Sequence, residues 1–579
     1  MAEREDHTAS FMKSLFAGVI DQDILFPFPQ LPKEEKENLD LILQAWREFA
    51  RDNIDPVQID RDEHIPDAVM AGLKELGFFG LSIPEEYGGA GLSKTAYSRI
   101  FEEICMLDAS IAVMLGAHCS IGANPLIMYG TDRQKEKYLP KLATGEWIAC
   151  FALTEPNAGS DAAGIQSFAQ LNERKTHFTL NGGKIWISNG GIADLATVFA
   201  KTEVYIGGEK QKKITAFLVE AGWDGFSAGK PEHKLGIRGS NTTSLNFDSV
   251  QVPVENVLGP IGKGFKVAME TLNLGRLSLA AGCVGGCKAL LRESVVYAKN
   301  RRQFGQPIAQ FEIIQDKISQ MVADTYAAES MVYLTSALAD RGDVDFSLES
   351  AICKIFASEA LWRTVNETVQ IAGGLGYSKD YPYERYLRDA RINLIFEGTN
   401  EILRAFIALA GMQGPGEYLK RIGKALRDPI KGFGLLTGFA VHKVKDVVAR
   451  DALKDIHTEL KEETDRFNEF AHELESLVEK SLMKYGKDIV QHEFILARIA
   501  NMAIDLYGMA AVLSRIDTQL KAGEPVAQEL PIARLYCDSA WRRVRREARQ
   551  VENNLDDIRR EITKTVYELE HYPSDVLGL

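Results

Sequence analysis

At 579 residues the chain is too long for one compact core, and roughly two to four domains are expected. Hydrophobic residues at 45% and charged residues at 26% are ordinary for a globular protein. Seven cysteines in such a length exclude a disulfide scaffold, and a net charge of −14 excludes nucleic acid as a partner of the whole molecule. No uncharged apolar run long enough to cross a bilayer is expected, and no metal site. With Glu3, Glu5 and Asp6 the first residues do not read as a secretory signal, so a cytoplasmic location of bacterial type is expected.

Residues 1–35 carry prolines at 27, 29 and 32 and read as an extended N-terminal arm. From Glu34 a helical period appears: Leu39, Ile42, Leu43, Trp46 and Phe49 lie three or four apart on one face. Helices are expected through 36–145, broken at Pro66, Pro84 and the turn Gly88-Gly89-Ala90-Gly91. Residues 146–262 change character, with short β-rich runs separated by turn residues. Within them Leu180-Asn-Gly-Gly-Lys184 reads as a hairpin, because Asn-Gly tolerates positive φ. Helical periodicity returns over 263–412, interrupted at Gly373-Gly374-Leu375-Gly376. A basic, glycine-containing segment follows over 413–450. The last region, 451–579, is helical again, with Leu460, Phe467, Phe470, Leu474, Leu477 and Leu482 as one stripe. The fold class expected is mainly α with a central β domain and a C-terminal helical extension.

Five segments carry potential chemistry, each with a plainer alternative. Phe151-Ala-Leu-Thr-Glu-Pro-Asn-Ala-Gly-Ser-Asp161 joins small residues and hydroxyls where helices meet strands; such a loop brings backbone N–H groups to a polar ligand or is simply an interdomain turn. Trp186-Ile187-Ser188 ends a short strand, where a tryptophan belongs by default to the core. Arg301-Arg302-Gln303-Phe304-Gly305 is a basic helix end, suited to a phosphate or to a solvated cap. Gln370-Ile-Ala-Gly-Gly374 permits close backbone approach. Ile395-Phe396-Glu397-Gly398-Thr399-Asn400 places one carboxylate after an apolar run, and a lone Glu is usually solvated. Neither a GxGxxG fingerprint after a strand nor a GxxxxGK[ST] loop occurs, so a bound flavin would not be held by a Rossmann domain.

In this order the segments LTEPNAGSD, KIWISNG, RRQFG, QIAGGLGY and IFEGTNEI resemble the acyl-CoA dehydrogenase family. The arm, the run Leu115-Gly-Ala-His-Cys-Ser-Ile-Gly122 and the extension resemble its very-long-chain subgroup. The resemblance implies an N-terminal helical domain, a β-barrel-like middle domain and a C-terminal four-helix bundle. It implies FAD as cofactor and a fatty-acid β-oxidation reaction, acyl-CoA to trans-2-enoyl-CoA. By position, Glu397 matches the base that removes the α-proton, while flavin N5 accepts the β-hydride. Phe151, Leu153, Thr154, Gly159 and Ser160 match the stretch bordering the flavin ring; Trp186, Ile187 and Ser188 match its packing surface. Arg301, Gln303, Phe304, Gln370, Gly373 and Gly374 match contacts to the pyrophosphate and adenine half, acting across a homodimer. Thr399 and Asn400 also match flavin contacts. Ser160, Asn273, Arg276 and Gly398 match positions near the thioester and CoA. One position departs from the pattern: Glu312 stands where glutamine is common.

Medium-chain relatives place polar or bulky residues at the floor of the acyl pocket; here Gly116 and Ala117 stand there, so a deep pocket for acyl chains of about 12 carbons or longer is expected. A packed helix pair would also favour small residues. Residues 420–450 hold eight Lys or Arg around the uncharged run Gly432–His442, which suits peripheral contact with an anionic membrane or a solvated linker. An electron-transferring flavoprotein is the electron acceptor that the resemblance implies. An acyl-CoA oxidase and a respiratory-complex assembly scaffold are the alternatives.

Overall fold

The computed structural model describes residues 9–427 and 451–577; the expected membrane-contact segment lies largely outside the described residues. Helices α1 (Phe11–Phe16), α2 (Lys33–Asn53), α3 (Pro56–Asp62), α4 (Asp67–Glu75), α5 (Lys94–Leu107), α6 (Ala109–Gly116), α7 (Asn124–Tyr129) and α8 (Asp132–Ala143) precede the sheet. On α2, Leu39, Leu43, Trp46 and Ala50 bury the predicted apolar face. A π-helical stretch, Ala117–Ala123, joins α6 to α7.

The stretch Ala109–Tyr129 contains no Asp, Glu, Lys or Arg. By length and composition it could cross a membrane, as could Gly264–Asn300 and Glu493–Lys521. This corrects the expectation that no such run exists. The apolar windows of these helices are 78%, 89% and 89% buried inside the protein, so their hydrophobicity is used by the core.

Strands β1 (Ala149–Ala152), β2 (Phe168–Leu171), β3 (His177–Ser188), β4 (Leu195–Ile206), β5 (Glu209–Glu220), β6 (Phe226–Ala228), β7 (Thr242–Pro253) and β8 (Val257–Leu258) form one sheet, ordered β6-β7-β3-β2-β4-β5-β8 with β1 alongside β4. The hairpin expected at Asn181-Gly182-Gly183 is not there. β3 runs straight through it, antiparallel to β7, with a register shift between Leu180 and Gly182. Gly182 has φ of 146° and a Cβ on it would lie 2.2 Å from Oγ of Ser167, so the glycine serves a bulge rather than a turn.

Beyond the sheet, α9 (Gly264–Asn300) is a 37-residue helix, about 55 Å long, and it forms the axis of the C-terminal bundle. Along it pack α10 (Glu312–Arg341) and α11 (Ser347–Ala372); α12 (Tyr383–Arg391) and α13 (Asn400–Gly411) pack on α11, followed by α14 (Gln413–Arg427). Gly285 of α9 sits against the α5 backbone, where a Cβ would meet the Glu102 carbonyl at 2.1 Å.

The extension consists of α15 (Lys461–Tyr485), α16 (Glu493–Lys521), α17 (Glu529–Glu552) and α18 (Asp556–Leu569). It shares one continuous apolar core with the bundle, to which Phe467, Leu474 and Leu477 of the predicted stripe contribute. The N-terminal segment is not an extended arm. Phe11, Met12, Leu15 and Phe16 of α1 are all 0% exposed and wedge between α11, α13 and α15. Glu349 of α11 pins α1 by accepting from the Met12 N–H at 2.9 Å and the Ser10 hydroxyl at 3.2 Å.

Candidate active site

A short 3-10 turn, Ile392–Leu394, ends α12, and the chain must then turn into α13. It does so through two left-handed residues, Glu397 with φ of 59° and Gly398 with φ of 96°. Thr399 then caps α13, its hydroxyl accepting from the Ile402 N–H at 3.3 Å. The turn directs the Glu397 side chain inward. Its Oε2 is enclosed and has no hydrogen-bond partner among the described residues. Burial pushes this carboxyl up to about 7, against the opposing pull of Arg276 and Lys354.

Glu397 opens onto an apolar cavity of about 120 Å³. One wall is a stripe of α9: Gly275, Leu279, Gly282, Gly286 and Leu290. Facing it are Gly116 and Ala117, with Ser120 on the π-helical stretch. Two groups that motif reading missed shape this space. Gly275 makes room for the Glu397 carboxylate, since a Cβ there would lie 2.9 Å from its Oε2. Phe101 of α5 lies across the middle, where Cβ atoms on Gly116 and Gly282 would meet its ring at 3.0 and 3.2 Å. A third, Asp389, lines the cavity while accepting from the Ile237 N–H; burial pushes its carboxyl up to about 7. Gly275 and Phe101 lie 122 and 296 positions from Glu397, a separation that no local pattern signals.

Arg276 is 7% exposed. Its Nε donates to the Glu397 carbonyl at 3.1 Å and its Nη1 to Asn273 Oδ1 at 3.0 Å, so the predicted pair Asn273 and Arg276 braces the Glu397–Gly398 turn.

Trp186 departs from its default reading. It is 60% exposed at φ of 58°, on a strand whose neighbouring Ile187 is buried at 2%. Ser188 lines the cavity. The loop after β1 is fastened beside this strand: the Ile185 N–H donates to the Thr154 carbonyl at 3.0 Å, and the buried Lys184 donates to Glu155 at 2.7 Å and to the Leu153 carbonyl at 3.0 Å. Gly159 and Ser160 are exposed at its tip. Phe151, Leu153 and Ile187 turn their side chains into the core, so their expected ring contacts are open only to backbone atoms. Asn400 is held inside the protein. Its side chain is 2% exposed and bonded to Lys354, Ser358 and Glu359.

The end of α9, from which Arg301, Gln303 and Phe304 follow, is joined to the end of α11, which carries Gln370, Gly373 and Gly374, by the Tyr297 hydroxyl donating to the Ala372 carbonyl at 3.1 Å. Phe304 is 94% exposed at φ of 50°, and a Cβ on Gly373 or Gly374 would meet nothing. This end is an open surface with a projecting ring.

Family models match in chain order: the acyl-CoA dehydrogenase N-terminal domain over 36–146, its middle domain over 150–250 and its C-terminal domain over 262–412. The chain belongs to the acyl-CoA dehydrogenase family, and its reaction is acyl-CoA dehydrogenation. Residues 458–572 match the ACAD9/ACADV C-terminal domain. Within the family it is 45% identical, over 92% of this chain and 82% of the relative, to the very long-chain specific acyl-CoA dehydrogenase, mitochondrial, of Bos taurus. A solved acyl-CoA dehydrogenase complexed with FAD from Bacillus anthracis superposes with a TM-score of 0.80 at 34% identity, covering 97% of this chain and 96% of that one. Butyryl-CoA dehydrogenase from Megasphaera elsdenii gives 0.62 at 39% identity, covering 66% of this chain and 99% of its own.

Proposed function

We propose that the chain oxidises long-chain acyl-CoA to trans-2-enoyl-CoA, with Glu397 removing the α-proton. The observation that carries this reading is the unpaired, enclosed Oε2 of Glu397 at the head of an apolar channel. A carboxyl held near 7 is matched to its task, because about half of it is ionised at pH 7 while it stays basic enough to take a weakly acidic C–H proton. Burial supplies that tuning, and the absence of a partner on Oε2 leaves a lone pair aimed at substrate. The N–H of Glu397, in the same turn, is the donor for the thioester carbonyl as charge develops there.

The residues present fit FAD. Trp186 offers an exposed indole face beside Ser188, and the loop 153–160 offers an open glycine and hydroxyls on a fastened base. When bound, FAD supplies the hydride acceptor for the substrate β-carbon. Thr154, Ser160 and Ser188 would hold the ring edge, with Arg301, Gln303, Phe304, Gln370, Gly373 and Gly374 of a second copy against the adenine half. An electron-transferring flavoprotein is the proposed acceptor.

Chain length follows from the α9 stripe. Gly275 to Leu290 is fifteen residues, about 22 Å of helix. An extended acyl chain advances about 1.3 Å per carbon, from C–C bonds near 1.5 Å, so the wall accommodates on the order of 16 carbons. The test is anaerobic titration with acyl-CoAs of graded length, following flavin bleaching. Wild type bleaches best with chains of about 12 carbons or more, and Glu397→Gln binds FAD and acyl-CoA without bleaching. A kcat/KM maximum at 4 to 8 carbons, or rapid bleaching in Glu397→Gln, overturns the reading.

A further inference from the structure

Lys354 of α11 is 0% exposed. Its Nζ donates to the Gly398 carbonyl at 2.8 Å and to Asn400 Oδ1 at 2.7 Å. Among the described residues no carboxylate is within ion-pair range of it. A buried ammonium without a counter-ion contact is expensive, and an apolar side chain would fill the same space at lower cost. The surrounding charges come from several elements. Arg276 and Cys283 lie on α9, Glu397 in the turn and Glu359 on α11 itself. Glu359 is occupied by Arg404 at 2.8 Å. Burial pulls the Lys354 amine down to about 8.

The location of its bonds explains the cation. Glu397 and Gly398 are consecutive left-handed residues, a conformation that a glutamate rarely adopts without outside support. Their two carbonyls are held by two different cations, Glu397 by Arg276 and Gly398 by Lys354. Asn400 is gripped in turn by Lys354, Ser358 and Glu359, which fixes the first residue of α13. The turn is thus clamped on its carbonyl side, leaving the Glu397 carboxylate directed the other way.

We propose that Lys354 is a positioning residue for proton abstraction: its grip on the Gly398 carbonyl and Asn400 holds the Glu397–Gly398 turn in the form that aims the carboxylate into the channel, and its buried charge favours the ionised base. This rests on Glu397 being that base.

The test compares holoenzymes of wild type, Lys354→Met, Lys354→Gln and Lys354→Arg. Three quantities are read: anaerobic bleaching rate per bound flavin against pH, melting temperature, and proton uptake on binding a non-oxidisable 3-thia-acyl-CoA. In Lys354→Met the rate per flavin falls about tenfold or more at pH 7. Its pH midpoint, and that of the binding-linked proton uptake, moves upward by about half a unit or more. Lys354→Gln shows the same upward movement with a smaller rate loss, because a donor remains. Lys354→Arg keeps the wild-type midpoint. A fall in melting temperature alone, with rate per flavin and both midpoints unmoved, overturns the proposal. If neither neutral variant accumulates as folded protein, Lys354→Arg decides: a reduced rate per flavin at the wild-type midpoint supports it, and the wild-type rate overturns it. Glu397→Gln runs alongside; bleaching in that variant removes the base assignment itself, whatever the Lys354 series does.

Discussion

Gly275 and Glu397 are fitted to each other: a Cβ on the helix residue would lie 2.9 Å from the carboxylate oxygen of the other. Gly275→Ala is therefore expected to displace the base while keeping the fold. Overpacking costs about 1–3 kcal/mol, and the same order of cost placed on the reactive geometry slows bleaching about 10- to 100-fold. Rapid-reaction kinetics with FAD content held at wild type checks this. An unchanged rate would mean that Glu397 has another way to reach substrate.

The acid–base behaviour has a definite sign. Burial holds the Glu397 carboxyl near 7 in the folded chain, above its ordinary 4.5. The bleaching rate should rise through about pH 7 as the base ionises. Stability should move the opposite way. Between about 4.5 and 7 the native state holds a proton that the unfolded chain has released, so this group's contribution is full below about 4.5 and is lost as pH rises through 7. Melting temperature measured against pH should fall less steeply over this window in Glu397→Gln than in wild type. Parallel curves would remove the group from the linkage.

Phe101 sits between Gly116 and Gly282 in the wall of the cavity. Replacing it with valine should deepen or widen the path. The ratio of kcat/KM for 18-carbon over 12-carbon acyl-CoA is expected to rise about threefold to tenfold, the scale of one or two methylenes' worth of burial. A fall in that ratio would mean that the ring supports the chain rather than limiting it.

Lys184 and Glu155 form a buried ion pair, 0% and 7% exposed, at 2.7 Å beneath the loop 153–160. Glu155→Gln leaves a cation without its partner and should cost about 3–5 kcal/mol. Flavin-to-protein ratio and melting temperature should drop together. The double variant Glu155→Leu/Lys184→Met should recover part of the melting temperature, because no charge then remains buried, without restoring flavin retention in full. Equal retention in wild type and both variants would separate the pair from cofactor binding.

The order of helices, sheet and helices was legible because periodicity is a local property: the α2 face and the α15 stripe are buried as their spacing indicated. Asn181-Gly182-Gly183 misled because the positive φ that glycine permits serves a bulge as well as a hairpin, and the decision rests with Ser167 across the sheet. Trp186 misled for a related reason, since alternation does not tell which strand face is open. Glu397 was singled out only through motif resemblance. What shapes its surroundings, the room left by Gly275 and the clamps from Arg276 and Lys354, comes from residues 43 to 122 positions away.

The docking of α1 has a consequence for biosynthesis. Phe11 lies 6.4 Å from the ring of Tyr507, and Phe16 packs against Gly411. At about 5–20 residues per second, the ribosome completes these partners roughly half a minute to a minute and a half after α1. Throughout that interval two phenylalanines, a leucine and a methionine have no native surface to cover them. The nascent chain should accordingly be a client of a hydrophobic-segment chaperone, released only when its own C-terminal helices arrive.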